Sequence, residues 1–301
     1  MGSALSTHTR DTLLAWYFVS VWSSGFLATK IGLQHAPPFT FLTLRFAFGI
    51  LCLLPIVLIV KPRWPASRLE FGHIIVAGLL MHAIHLGGSH YTQYLGMSAG
   101  ITAVLLSIQP LLTAIIAGRW MNERLGSRQW LGIAVGLAGV ALIVWHKIDI
   151  REATAGALTA VVISLAGVTA GTLYQRTFCP AVDLRSAALL QFAATIVVLA
   201  PLAWIVEDAA VRWSWSLAAA IVFLVIGASI LAVNALHMLM RRGQATRVTS
   251  LIYLTPVFAV ALELVMFGVV PTPLSLAGIV ITCGGVAMVS WQGDGQKKRG
   301  A

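Results

Sequence analysis

Charge is the scarcest ingredient of this chain. Asp, Glu, Lys and Arg together make up 10% of its 301 residues, against about 25% in a soluble domain. That shortage excludes a fold in which most of the chain faces water. Cysteine is also sparse: Cys52, Cys179 and Cys283 lie far apart and are odd in number. They make neither a disulfide framework nor a metal motif, and read as packed or lipid-facing thiols. Segments of about ten residues alternating apolar and polar are missing, so a membrane β-barrel is excluded. There is no nucleophile-elbow motif, no HExxH and no pair of intramembrane aspartates. The case for an intramembrane enzyme goes with them, and no cofactor is expected.

Long apolar runs fill the chain instead. Hydrophobic residues are 58% of the sequence and the mean hydropathy is +0.89. Crossing a bilayer core of about 30 Å takes roughly 20 helical residues. Ten such segments are legible, at 12–33, 39–60, 71–93, 98–119, 128–146, 155–176, 184–206, 216–239, 247–267 and 273–292. Their connections are too short to hold a soluble domain. The first segment follows Arg10 but lacks a small-residue cleavage site, so it reads as a retained helix and not as a signal peptide. The expectation is an all-α integral membrane protein of ten transmembrane helices.

The net charge of +10 follows the topology and does not point to nucleic acid. With the N-terminus inside, the cytoplasmic segments hold Arg10, Lys61, Arg63, Arg68, Arg119, Arg124, Arg128, Arg176, Arg185, Arg241, Arg242, Arg247, Lys297, Lys298 and Arg299. The outer loops hold Lys147, Arg151 and Arg212. Such a bias predicts two cytoplasmic termini in a multi-pass plasma membrane protein, of a bacterial inner membrane, whose standing partner is the lipid bilayer.

Sliding the sequence by 146 residues exposes an internal repeat. Gly25 falls on Gly171, Lys30 on Arg176, Phe46 on Phe192, Pro55 on Pro201 and Pro110 on Pro256. Gly132 falls on Gly278, Gly139-Val140-Ala141 on Gly285-Val286-Ala287 and Trp145 on Trp291. One constant offset that catches prolines and glycines is hard to obtain by chance. Each half then carries five helices, and an odd number forces the second half to enter the membrane upside down. The predicted organisation is a cytoplasmic segment 1–11, a first five-helix repeat 12–146, a second, inverted five-helix repeat 155–292 and a basic tail 293–301. Inverted repeats place a site near the membrane midplane between them.

Depth counting selects the candidate site. In the third segment His82 and His85 fall near the midplane, while His90 and Tyr91 approach the outer surface. Gly78, His82, His85 and Ser89 follow i, i+4, i+7, i+11 spacing, one face of an α-helix. Ionisable groups in a membrane usually face a bundle interior or a water-filled cavity, so His82 and His85 read as cavity-lining. The competing reading makes them donors to carbonyls of neighbouring helices. A metal site would need ligands brought from elsewhere, since no Cys, Asp or Glu accompanies the pair, and no metal is expected.

Gln109 beside Pro110, and Tyr253 near Pro256, place polar groups next to prolines at equivalent positions of the two halves. A proline inside a helix removes a backbone hydrogen bond, so the pair reads either as matched gates or as static kinks. The first segment adds Tyr17, Trp22 and Ser24, the sixth Ser164 and the eighth Asn234. Lys30 and Arg45 lie towards the outer ends of their helices, where long side chains can reach the interface. Trp16, Trp120, Trp130, Trp213 and Trp215 sit near helix ends as interfacial anchors. Gly132 and Gly136, with Gly278, Gly284 and Gly285, thin the fifth and tenth segments for close helix approach.

Together, Trp22-Ser23-Ser24-Gly25-Phe26 with Lys30, Arg45-Phe46, Pro110, Asn122-Glu123-Arg124, Gly132 and Gly139 resemble the drug/metabolite transporter superfamily. The second half echoes the pattern with Leu173-Tyr174-Gln175-Arg176, Pro256, Gly278 and Gly285. The similarity is to the ten-helix exporters with two EamA-type repeats, in particular the aromatic amino-acid exporter branch. The second half departs where Glu123 aligns with Val269, so a role for that glutamate is unsupported there.

The resemblance implies a central cavity lined mainly by segments 1, 3, 4, 6, 8 and 9. It also implies export of amino acids or similar small amphiphilic metabolites by alternating access. No cluster of Lys or Arg faces the expected cavity, which argues against sugar phosphates. The first segment lacks the midplane glutamate that small multidrug exporters of this superfamily use, which argues against cationic-drug antiport. An exporter of drugs or lipid-like compounds is the alternative, and a monomer is expected.

Overall fold

The computed structural model describes residues 7–120, 126–149, 154–208, 210–232, 235, 238 and 255–290. Among the described residues there are helices and connections and no strand. The helices are α1 (Thr7–Leu33), α2 (Pro38–Val60), α3 (Arg68–Tyr94), α4 (Ala99–Leu106), α5 (Gln109–Trp120) and α6 (Ser127–Asp149). They continue with α7 (Ala155–Phe178), α8 (Leu184–Val206), α9 (Trp215–Ala232), α10 (Thr255–Phe267) and α11 (Pro273–Ser290). Seven stretches are long and apolar enough to cross a membrane: Thr12–Leu33, Pro38–Val60, Arg68–Tyr94, Ala99–Ile116, Ala155–Phe178, Leu184–Val206 and Trp215–Ala232. The apolar helices Ser127–Ile143, Thr255–Phe267 and Pro273–Met288 are shorter.

Helix ends follow local chemistry. Pro38 opens α2, where a missing N–H costs nothing, and α2 ends at Lys61 in the left-handed region, φ 49°. Ser67, Thr154 and Ser214 cap α3, α7 and α9 by accepting from Glu70 N, Ala157 N and Leu217 N. The carboxylate of Glu207 receives the N–H groups of Phe39 and Thr40, each at 2.8 Å, at the start of α2. Outward faces are apolar, as for Ile59, Trp204 and Val265, each more than 80% exposed. Lipid is the solvent that suits them.

Two compact units divide the chain, and each draws on both sequence halves. Unit one holds Met1–Phe26, Ala99–Arg151 and Ile230–Ala301, and unit two holds Leu27–Ser98 and Glu152–Ser229.

In unit one, α6 and α11 meet through glycines. A side chain on Gly139 would strike Thr282 Oγ1 at 2.5 Å and Gly278 O at 2.8 Å, and one on Gly285 would strike the backbone of Gly136 and Gly132 O. The contacts are reciprocal under the 146-residue offset: Gly132 stands against Gly285 and Gly139 against Gly278, each meeting the counterpart of the other. The thin stripes therefore serve packing inside one chain. Elsewhere in the unit, Ala15, Phe18, Val19 and Ala232 form a buried cluster against Leu14, Val21 and Phe258. The carboxylate of Glu263, 2% exposed, accepts from Ala99 N at 3.1 Å and Gly100 N at 2.8 Å, at the start of α4.

In unit two, α2 packs on α8 around Leu42, Phe46, Phe192 and Leu199. Helix α3 packs on α7, where Gly88 approaches Ala160 O and Ser164, and Gly167 approaches Leu80 O and His85 N. These glycines bring the two backbones within reach of each other's polar groups.

Both α3 and α9 change winding midway. Leu79–Leu86 and Phe223–Ala232 are π-helical, a rare state that concentrates at functional sites. The 146-residue offset carries the first of these onto 225–232, inside the second.

Candidate functional site

The π stretch of α3 carries His82 and His85, and its wider turns send them to different neighbours. His82 Nε2 donates to Gln191 Oε1 on α8 at 3.3 Å. His85 engages α7: Ser164 Oγ donates to the His85 carbonyl at 2.7 Å, so the hydroxyl must accept from His85 Nδ1, at 2.9 Å. The single helical face expected for Gly78, His82, His85 and Ser89 is thus split, because that spacing holds for α turns and not for π turns. Gly78 still matters to His82, since a side chain there would strike Gln191 Cβ at 2.6 Å. Its bareness lets α8 come close enough for the hydrogen bond.

Aromatic rings enclose His82. Its ring lies 5.3 Å from Phe46 and 5.3 Å from Phe192, the latter edge-on, and Phe46 and Phe192 are 5.0 Å apart. Beside them stands Arg45, whose position corrects the expectation that it reaches the interface. Arg45 is 9% exposed, its Nη2 donates to Ser229 Oγ on the π stretch of α9 at 3.3 Å, and its Cζ lies 5.9 Å from the Phe46 ring centre. The Phe46 ring that its Cζ faces is the same ring that borders His82. Its guanidinium turns to Ser229 of α9 and to the Phe46 ring, so the side chain does not extend along the helix to the outer surface.

Of the residues selected from sequence, His82, His85 and Ser164 come together in unit two. Tyr17, Trp22, Ser24 and Gln109 belong to unit one. Tyr17 and Trp22 are 38% and 42% exposed, with Trp22 tilted on Phe18 at 5.6 Å. Ser24 Oγ bonds its own helix at Ser20 O, and Gln109 Nε2 donates to Thr113 Oγ1 at 3.0 Å. Pro110 does not kink a continuous helix. Residues 107–108 break the helix, and Pro110 is the second residue of α5, where its missing N–H is tolerated. Pro256 is likewise the second residue described of α10. Asn234 and Tyr253 lie outside the described residues.

Sequence reasoning missed Arg45, Gln191, Phe46, Phe192 and Ser229 as members of one cluster. A signal was present: the offset places Arg45 on Gln191 and Phe46 on Phe192, two adjacent polar–aromatic pairs inside apolar runs. The contacts cross over. Arg45 of the first half reaches the π stretch of the second, and Gln191 of the second reaches the π stretch of the first.

Long apolar helices with apolar outward faces, and a minority of polar side chains buried between them, define a multi-pass helical membrane protein. The EamA-like transporter family model matches residues 12–145 and again 154–291, and the chain belongs to that family. It is a membrane transporter. Among its relatives is the uncharacterized transporter YvbV of Bacillus subtilis, 24% identical over 96% of this chain and 94% of that protein. The uncharacterized inner membrane transporter YedA of Escherichia coli K12 is 27% identical, covering 83% and 80% of the two chains. A probable amino-acid metabolite efflux pump of Salmonella typhimurium is 25% identical over 92% and 93%. A solved crystal structure shares the fold at a TM-score of 0.62, with 20% identity, covering 93% of this chain and 96% of the other. Membrane-spanning helices and these relatives make the chain a multi-pass protein of the bacterial inner membrane.

Proposed function

We propose that the protein exports amino acids or similar small amphiphilic metabolites by alternating access, through a central cavity to which both sequence halves contribute. The observation that carries this reading is the polar–aromatic cluster around His82 and His85, midway along a membrane-spanning helix and on a π stretch. Hydroxyl, amide, imidazole and ring edges suit a small solute with both polar and apolar parts. The name of the Salmonella relative fits the same class. No chemical step is assigned to the protein, and it acts as a carrier and not as an enzyme.

The architecture in this reading is ten crossings in two inverted five-helix repeats, 12–146 and 155–292, with both termini cytoplasmic and one chain sufficient. Reciprocal contacts between offset-related residues support a twofold relation between the halves. Pro110 and Pro256 then stand at equivalent positions of the two halves and serve as gates. Counterflow of labelled amino acids into proteoliposomes loaded with a broad amino-acid panel tests the function. Stereoselective, saturable exchange is expected, and absence of flux across the whole panel would overturn it.

A further inference from the structure

Among the described residues, Arg45 is a buried cation with no anion against it. Among the described residues its hydrogen bond goes to the neutral hydroxyl of Ser229 and its face meets Phe46, and no carboxylate reaches it. Removing one partner from a buried ion pair is strongly destabilising, because a charge is left uncompensated, and intramembrane charges usually find a partner or a functional pathway. Arg45 keeps 9% of its surface exposed, and its other guanidinium nitrogens are not among the fully buried polar atoms without a partner.

The two histidines offer the opposite polarity. With Nδ1 of His85 donating to Ser164, Nε2 of its neutral ring is an acceptor. With Nε2 of His82 donating to Gln191, its Nδ1 is an acceptor. Neither acceptor is sealed or bonded among the described residues. One unit therefore holds the guanidinium of Arg45 and the ring of His82 on the same Phe46 side chain, beside the Phe46–Phe192 pair, with His85 on the next turn of α3.

We infer that Arg45 recognises the carboxylate of a transported zwitterion, while His82 and His85 accept hydrogen bonds from its ammonium group. A guanidinium fork matches a carboxylate bidentately, which an ammonium or an amide cannot do. The inference rests on the exporter reading above for its substrate class, but the charge complementarity belongs to the site itself.

The test compares L-phenylalanine, L-leucine and L-threonine with their amides and with the matching acids that lack the amine. Binding to the detergent-purified, full-length protein is read by titration calorimetry. At least one amino acid is expected to bind at least tenfold more tightly than its amide and several-fold more tightly than its deaminated acid. Arg45→Gln should cost tenfold or more for carboxylate-bearing ligands and less than twofold for the amide, and Arg45→Lys should fall between. A purely structural arginine would change stability and leave the amino-acid-to-amide ratio intact. Should Arg45→Gln fail to fold, Arg45→Lys carries the same comparison: a ratio unchanged from the wild type overturns the inference, and a ratio lowered several-fold supports it. Equal binding of amino acid and amide, an unchanged ratio in Arg45→Gln, or no binding by any carboxylate-bearing compound overturns the inference. If the expected ratios appear but no amino acid exchanges in proteoliposomes, the carboxylate site stands and the exporter reading falls. If exchange occurs without carboxylate preference, the reverse holds.

Discussion

Phe46 and Phe192, 146 residues apart in the sequence, meet with ring centres 5.0 Å apart and planes inclined at 47°. They are equivalent positions of the two halves, and a residue touching its own counterpart marks where a twofold relation would pass. Such aromatic pairs are worth about 0.5–1.5 kcal/mol beyond the area they bury. A double-mutant cycle with Phe46→Leu and Phe192→Leu, read by chemical unfolding in detergent, should return a coupling of about that size. Strict additivity would mean that the rings do not support one another.

Much of this was legible beforehand, and the reason is the solvent. Lipid forces backbone groups to pair within a segment, so apolar runs became helices at Pro38–Val60 and Leu184–Val206 almost where hydropathy put them. The site was only partly legible. His82 and His85 were selected by depth and Ser164 as a hydroxyl of the sixth segment, but the faces the two histidines present depend on π winding, which apolar periodicity does not encode. Arg45 was misplaced because length alone lets an arginine reach an interface, and only the packing of α2 under α9 prevents it.

Glu263 tests the helix starts. Its carboxylate holds two buried amides at the head of α4, and a buried donor left without an acceptor costs about 1–3 kcal/mol. Glu263→Ala should lower the unfolding free energy by about 2–4 kcal/mol. Glu263→Gln, which keeps an acceptor oxygen, should lose less than half of that. Equal losses in the two variants would show that the charge, and not the capping, holds the segment.

Glycines in one helical system should respond in opposite senses. An added methyl at Gly72 meets nothing within 4 Å, whereas at Gly167 it meets Ile84 at 2.7 Å, His85 N at 3.0 Å and Leu80 O at 3.1 Å. Gly72→Ala should stabilise by about 0.5–1 kcal/mol through helix propensity. Gly167→Ala should destabilise by about 1–3 kcal/mol as α3 and α7 are forced apart. Thermal unfolding of both variants decides it, and a stabilised Gly167→Ala would contradict the close approach.

Ser164 and His85 form a two-way link, hydroxyl to carbonyl at 2.7 Å and ring to hydroxyl at 2.9 Å. Ser164→Ala removes both, leaving His85 Nδ1 to donate to the carbonyl of residue 164, 3.3 Å away, and leaving the His85 carbonyl without its side-chain donor. The imidazole then loses the shorter of the two bonds that orient it, and a ring held by the longer one alone serves an ammonium group poorly. In counterflow the variant should show KM raised about fivefold or more, since a hydrogen bond to a charged group is worth about 1.5–3 kcal/mol. Maximal rate should change less than KM, because the gates are untouched. Ser164→Thr, which retains a hydroxyl, should recover part of the affinity if the methyl fits beside Gly88. A fall in maximal rate with unchanged KM would place Ser164 in the conformational step and not in binding.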